Sequence, residues 1–338
     1  MDHKVYLKDP GIYKKNNKYF FHKNKKEVTN FVELERLNSI KVPPAWESVW
    51  YSSNKKCHIQ VHGIDSAGKK QYILSEKWIN SKRSEKYFRM KSFIRDLSSF
   101  KKKIKINNSL FKGTIDKESL IKLLFNLLIS LHIRVGNEIY ALKNKTYGLT
   151  TLLQKHLTYD SFKNNYKLMF VGKSNIDHVI NIPDEYSIII KNFITKNKND
   201  PLFYYHLNNK ITGIDSEELN NFLKENMGKN YTCKDFRTYS ANILFIKAFL
   251  KNCKAINGIS NNTNNTTNTN NNNTNTNNNN SIKKTVLQSI DESASLLGHT
   301  RSICKKSYIS NLLLDYCLSS FPEASTKSPS DLLTKVWA

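Results

Sequence analysis

At 338 residues, 39% hydrophobic and 24% charged, the chain is long enough for two domains with apolar cores, and no apolar run reaches the roughly 18 residues of a membrane-spanning helix. Lys+Arg 53 against Asp+Glu 28 leaves a net charge of +25, which makes a polyanion, nucleic acid first, the natural partner and disfavours a membrane-surface role, because the lysines are scattered rather than gathered on one amphipathic face. The opening residues lack the layout of a secretion signal and the five cysteines (57, 233, 253, 304, 317) form no Cys-x-x-Cys pair, so an intracellular protein with reduced thiols is expected.

Residues 1–82 carry short alternating segments, such as Lys18–His22 and His58–His62, broken by Gly63, Gly68 and the Pro43-Pro44 pair. They predict a small β-rich domain. From residue 83 to 338 the spacing turns helical, most clearly in Leu120, Leu123, Leu124, Leu127, Leu128 and Leu131, whose three- and four-residue steps make one core-facing stripe. The fold class is therefore α+β, a small β-rich N-terminal domain followed by a larger, mainly helical one. Within the second, Tyr166–Val171 and His178–Ile182 read as strands joined by the turn Gly172–Asn175, with Lys173 at the tip of the hairpin.

Asp215 and Glu218 open a helix that should close at Gly228, and Thr232 with Asp235 repeats the capping-box pattern, which puts Arg237 in an early helical turn. A basic residue near free N–H groups is placed for a phosphate. Asn261–Asn280 holds only asparagine and threonine, so residues 259–281 are expected to be a flexible, disordered insertion. After it, Thr285–Leu297 reads as a helix stopped by Gly298, and Ser302 as the cap of a helix carrying Tyr308, Ile309, Leu312 and Leu313.

Taken one at a time, a tyrosine among 17 or an arginine on a basic surface says little. Five stretches in order say more: HIRVGNEIY with Arg134, FVGKSN with Lys173, KDFRTYSAN with Arg237, LLGHT with His299 and KKSYIS with Tyr308. This set resembles the catalytic pentad of type IB DNA topoisomerases, in the short poxvirus-type branch also found in bacteria. The Leu-Gly-His step with a tyrosine nine residues on is shared with the tyrosine recombinases, but VPPAWESVW at 42–50, the stretch 58–78 and the stretch 134–152 resemble the topoisomerase branch, as does Lys234 three residues before Arg237, where recombinases usually carry histidine. The resemblance runs from about residue 30 to 318, and the Asn/Thr tract between Arg237 and His299 departs from the compact family pattern.

The residue types suit the chemistry. A phosphodiester is anionic, so cleaving it requires neutralised oxygens and a proton for the departing alkoxide. By the resemblance, Arg134 and Arg237 would hold the non-bridging oxygens, His299 would add a hydrogen bond, Lys173 would act as general acid, relayed with Arg134, and Tyr308 would be the nucleophile that forms a 3′-phosphotyrosine. Because that ester conserves the energy of the broken bond, relaxation of supercoiled duplex DNA would need neither ATP nor metal, and the sequence has no GxxxxGK[ST] loop and no zinc-spaced His/Cys cluster. No cofactor is expected.

The resemblance also implies DNA contacts by Lys69, Lys70, Gln71 and Tyr72 of the N-terminal, DNA-clamping domain, by Tyr140, and around Lys234. Asn137 stands where poxvirus enzymes carry a basic residue, which would alter one base contact and with it the preferred cleavage site. A monomer working on duplex DNA is expected, in a virion, a cytoplasmic viral replication site or a nucleus. Two other readings stay open at this point: a tyrosine recombinase or integrase, which would assemble a tetramer, and a basic DNA-packaging protein that cuts nothing.

Overall fold

The computed structural model describes residues 9–228, 231–262 and 274–337. The chain divides into two compact units, residues 1–87 and 88–338, and the division falls inside the helix Glu76–Lys103.

The first unit is built on a five-stranded antiparallel sheet in the order β2-β1-β3-β4-β5, from β1 (Ile12–Lys15), β2 (Lys18–Phe21), β3 (Glu47–Tyr51), β4 (Ile59–Ile64) and β5 (Lys70–Leu74). Asn16 and Asn17 both take positive φ (49° and 60°), the geometry a two-residue hairpin needs to match strand twist, and asparagine tolerates it best after glycine. Ile12, Tyr19, Tyr51 and Val61 bury one face of the sheet together with Leu37 of the helix Phe31–Ser39. That helix was not anticipated from sequence. Its signal is the Asn30 cap, whose side chain accepts the Glu33 N–H.

In the second unit the leucine stripe behaves as read: Leu120, Leu123, Leu124, Leu127, Leu128 and Leu131 are all buried on the helix Lys117–Leu131. Phe93, Phe100, Phe125 and Phe236 fill the space beside it, with edge-to-face contacts at centroid distances of 4.9–5.0 Å for Phe93–Phe236 and Phe100–Phe125. A three-stranded antiparallel sheet, β6 (Leu157–Asp160), β7 (Asn165–Gly172) and β8 (Ile176–Asn181), contains the expected hairpin, and β9 (Tyr205–Leu207) pairs with β10 (Lys210–Thr212). Ser216–Met227 opens on the reciprocal Asp215–Glu218 capping box and ends at Gly228. The second box forms only by half. Asp235 accepts the Thr232 N–H at 2.9 Å, but the Thr232 hydroxyl donates to the same carboxylate, which also takes two N–H groups of Arg89.

Cys233–Asn262 and Thr274–Leu296 are long antiparallel helices, held together near their middle by Asn252 bonding to Ser289 and Glu292. Here the sequence reading needs correcting. Helix enters the Asn/Thr tract from both sides, beginning at Thr274 rather than Thr285, because extending an existing helix is far easier than nucleating one. The expected disorder of the tract otherwise falls on residues 263–273, which lie outside the described residues. All five cysteines are free and buried. Among the described residues no helix is long and apolar enough to cross a membrane.

Candidate active site

Arg134 follows directly from the end of the leucine helix. His132 caps that helix in the left-handed region (φ 55°), turning the chain so that Ile133 is buried and Arg134 half-buried. The Arg134 carbonyl then accepts the Leu149 N–H at 2.8 Å, and a Cβ at Gly148 would come within 2.6–2.7 Å of the Gly136 and Arg134 backbones. Only glycine at 148 permits this approach, and the pairing fixes where Arg134 leaves the main chain.

Arg237 lies one turn into the helix Cys233–Asn262 and is 6% exposed. It lies in the early helical turn that the sequence suggested. Its guanidinium donates to the His132 carbonyl and the Leu297 carbonyl, groups at the C-terminal ends of two other helices. Such carbonyls lack intrahelical partners and carry partial negative charge, which is why a cation is tolerated here. Burial nevertheless pushes its pKa down to about 9, Arg134 adding to the effect, and Nε is buried with no partner.

Between the two arginines sits His299. Its Nδ1 lies 3.4 Å from Nη2 of Arg134 and its Nε2 lies 3.3 Å from Nη2 of Arg237. A neutral imidazole accepts at one nitrogen only, so just one of these contacts is a hydrogen bond in either tautomer. Burial, then the charges of Arg237, Arg134 and Lys173, push the His299 pKa down to about 3, which makes the ring neutral in the uncomplexed protein.

Tyr308 stacks on His299 with centroids 4.5 Å apart and planes at 27°, and it favours the charged form of the neighbouring Arg134. Its local setting differs from the sequence reading. Thr300, not Ser302, caps the helix Arg301–Ser307, its hydroxyl accepting the Ile303 N–H, so the helix starts and stops earlier than expected. Tyr308 is the residue at which that helix breaks (φ −127°, ψ −47°), and a separate helix, Asn311–Ser319, follows. Of the apolar residues that follow it, Leu312 is 57% exposed, whereas Ile309 and Leu313 are fully buried. The break frees the tyrosine ring from the helical ladder and turns it onto His299.

Lys173 is exposed at the start of the hairpin tip, where Ser174 and Asn175 take positive φ (65° and 56°), and its charge is felt by His299. The structure therefore brings Arg134, Arg237, His299 and Tyr308 into one cluster, and the hairpin that carries Lys173 adjoins it through His178.

Three neighbours escaped sequence reasoning. His132 bonds to Ser240 at 2.9 Å and offers its carbonyl to Arg237. Asn242, fully buried, bonds the Tyr308 carbonyl and the Ser310 N–H. His178 touches the segments bearing Lys173 and His299. Asn242 closes the KDFRTYSAN stretch, and the signal for His178 lay in the Gly172-Lys173 and Gly298-His299 doublets.

Of the other sequence candidates, Lys69, Lys70, Gln71 and Tyr72 belong to the first unit, whereas Asn137, Tyr140 and Lys234 lie within six residues of Arg134 or Arg237 in the chain. Lys69, Lys70 and Tyr72 are exposed at the β4–β5 turn, Lys70 sitting 5.8 Å from the centre of the Tyr72 ring, while the Gln71 amide is engaged by Asp65 at 2.7 Å. Tyr140 is exposed on the helix Glu138–Asn144. Asn137 caps that helix, its side-chain oxygen accepting the Ile139 and Tyr140 N–H groups, so this oxygen is already committed. Lys234 is exposed in the first turn of the Arg237 helix.

Comparison with known proteins covers nearly the whole chain. Residues 75–315 match the model of the eukaryotic DNA topoisomerase I catalytic core, and residues 18–65 that of the bacterial DNA topoisomerase IB N-terminal domain. The chain is 31% identical to DNA topoisomerase 1B of Acanthamoeba polyphaga mimivirus, over 96% of its own length and 94% of the relative's. It is 26% identical to DNA topoisomerase 1B of vaccinia virus (strain Copenhagen), over 83% and 81%, and 26% identical to DNA topoisomerase 1 of rabbit fibroma virus, over 75% and 70%.

Proposed function

The chain belongs to the type IB DNA topoisomerases, and from that membership we propose that Tyr308 is its nucleophile, with Arg134, Arg237, His299 and Lys173 completing the catalytic set. The Tyr308 oxygen attacks the scissile phosphorus and the bond to the 5′ oxygen breaks. Lys173 gives its proton to that oxygen as it leaves, and the phenol proton is lost to solvent. Arg134 and Arg237 neutralise the non-bridging oxygens, and neutral His299 supplies one N–H. Reversal of the same step, with the free 5′-hydroxyl attacking the phosphotyrosine, reseals the strand after rotation of the duplex. The scheme conserves the bond energy and calls for neither ATP nor a metal.

The observation that carries this reading is the contact of His299 with both guanidinium groups and with the Tyr308 ring at 4.5 Å, made by residues from three distant parts of the chain. Such a cluster of cations around a nucleophilic hydroxyl is costly to hold unless an anion uses it.

We further assign the first unit a DNA-clamping role through Lys69, Lys70 and Tyr72, with Tyr140 and Lys234 as backbone contacts. We also propose that the enzyme works as a monomer, in a virion, a cytoplasmic viral replication site or a nucleus. Supercoiled plasmid incubated with EDTA and without ATP tests the whole. Relaxation is expected, with Tyr308→Phe binding DNA but forming no covalent adduct. Absence of relaxation at every salt concentration would refute the reading.

A further inference from the structure

His178 stands on β8, opposite Phe170 in the β7–β8 ladder, and stacks on that ring at 5.0 Å and 18°. Its imidazole fills the gap between two glycines. A Cβ built on Gly172 would lie 2.6 Å from its Cδ2 and Nε2, and one built on Gly298 would lie 2.7 Å from its Cε1. Gly172 immediately precedes Lys173, and Gly298 immediately precedes His299. One flat ring therefore keys the hairpin that carries the general acid to the loop that carries the central histidine. Gly172 has an ordinary extended backbone (φ −96°, ψ −169°), so nothing but the His178 ring requires glycine there.

We propose that His178 is a positioning residue for leaving-group protonation, holding the Lys173 hairpin in register with His299 through its contact with both glycines. The proposal rests on the assignment of Lys173 as general acid and goes beyond it. A hairpin tip makes few buried contacts of its own, so its position depends on what packs at its base; here Lys173, Ser174 and Asn175 are all exposed. Packing at the base of the tip limits its displacement. Displacement of a catalytic group by about 1 Å can cost on the order of 100-fold in rate.

The experiment compares two DNA substrates in single-turnover adduct formation, one with a normal phosphodiester and one with a 5′-bridging phosphorothiolate, whose sulfur leaves without a proton. For His178→Ala we expect a loss of about 10- to 100-fold on the normal substrate and a rate near that of the parent on the phosphorothiolate. His178→Phe, which keeps a flat ring between the glycines, should recover most of the normal rate. Gly172→Ala should be defective alone and less so combined with His178→Ala, because the second change makes room for the methyl group.

Equal loss on both substrates, or no loss on either, would overturn the proposal. So would a His178→Phe variant that binds DNA normally yet is as slow as His178→Ala. Lys173→Ala serves as the reference: if the phosphorothiolate fails to rescue it while the parent forms adducts, Lys173 is not the general acid, and the proposal falls with that assignment.

Discussion

The side-chain amide of Asn242 donates to the main-chain carbonyl of Tyr308 at 3.0 Å, and its oxygen accepts the Ser310 N–H at 2.9 Å. Asn242 thus replaces, at the helix break, the ladder bonds that a continuous helix would have made. The nucleophile is held by the helix that carries Arg237, five residues further along.

Replacing Asn242 with alanine leaves both backbone groups buried and unpaired, at about 1–3 kcal/mol each. Adduct formation by Asn242→Ala should fall by about 10- to 100-fold, with DNA binding retained. Unlike a defect in proton donation, this loss should persist on a phosphorothiolate substrate. Parallel single-turnover assays on the two substrates check it.

Burial and the neighbouring cations push the His299 pKa down to about 3 in the uncomplexed protein, so its ring is neutral there across the range of an assay. The rate of adduct formation should show no acid limb from this residue between about pH 5 and 8. His299→Asn, a neutral donor, should retain more activity than His299→Ala, which removes the hydrogen bond entirely. A pH–rate profile of the parent and both variants decides this.

Acid should destabilise the fold through its buried imidazoles. Burial pushes His132 and His156 down to about 4 and His299 to about 3. Each depressed value means that the unfolded chain binds more protons than the folded one below its ordinary pKa near 6.5. This contribution is fully present above about pH 6.5 and is lost progressively as pH falls toward 4. Urea midpoints at pH 7 and pH 5 should separate accordingly, the more acidic being lower.

Arg134 and Arg237 form no ion pair among the described residues, and burial lowers the pKa of both. An oxyanion should therefore relieve their mutual repulsion. Inorganic vanadate should raise the melting temperature, by about 2.7 kcal/mol of added stability at 100-fold excess over its Kd. Arg237→Gln should lose most of this shift. Thermal melts with and without vanadate measure it.

The repeating features of the fold were legible in the sequence. The leucine stripe, the Asp215–Glu218 box and the hairpin bearing Lys173 each depend on spacing within a few residues, and spacing survives in a string of letters. What was missed depends on choices between near-equal local options. Thr300 and Ser302 are both competent caps, and burial of Cys304 and Ile309 decides for the first. Five candidate site residues could be named from their motifs, but Asn242 and His178 act across long sequence separations, through contacts that no local pattern encodes. The carbonyl grip on Arg237 is of the same kind, since it joins helix ends at residues 132 and 297.

The long antiparallel pair has one more implication. Arg237 and His299 meet at one end of it, while the Asn/Thr tract joins the other, 25 residues along the first helix. At about 1.5 Å per residue that is a separation of about 38 Å. Changes in the length of the tract therefore fall far from the residues assigned to cleavage, and selection on strand cleavage and resealing would have no reason to notice them.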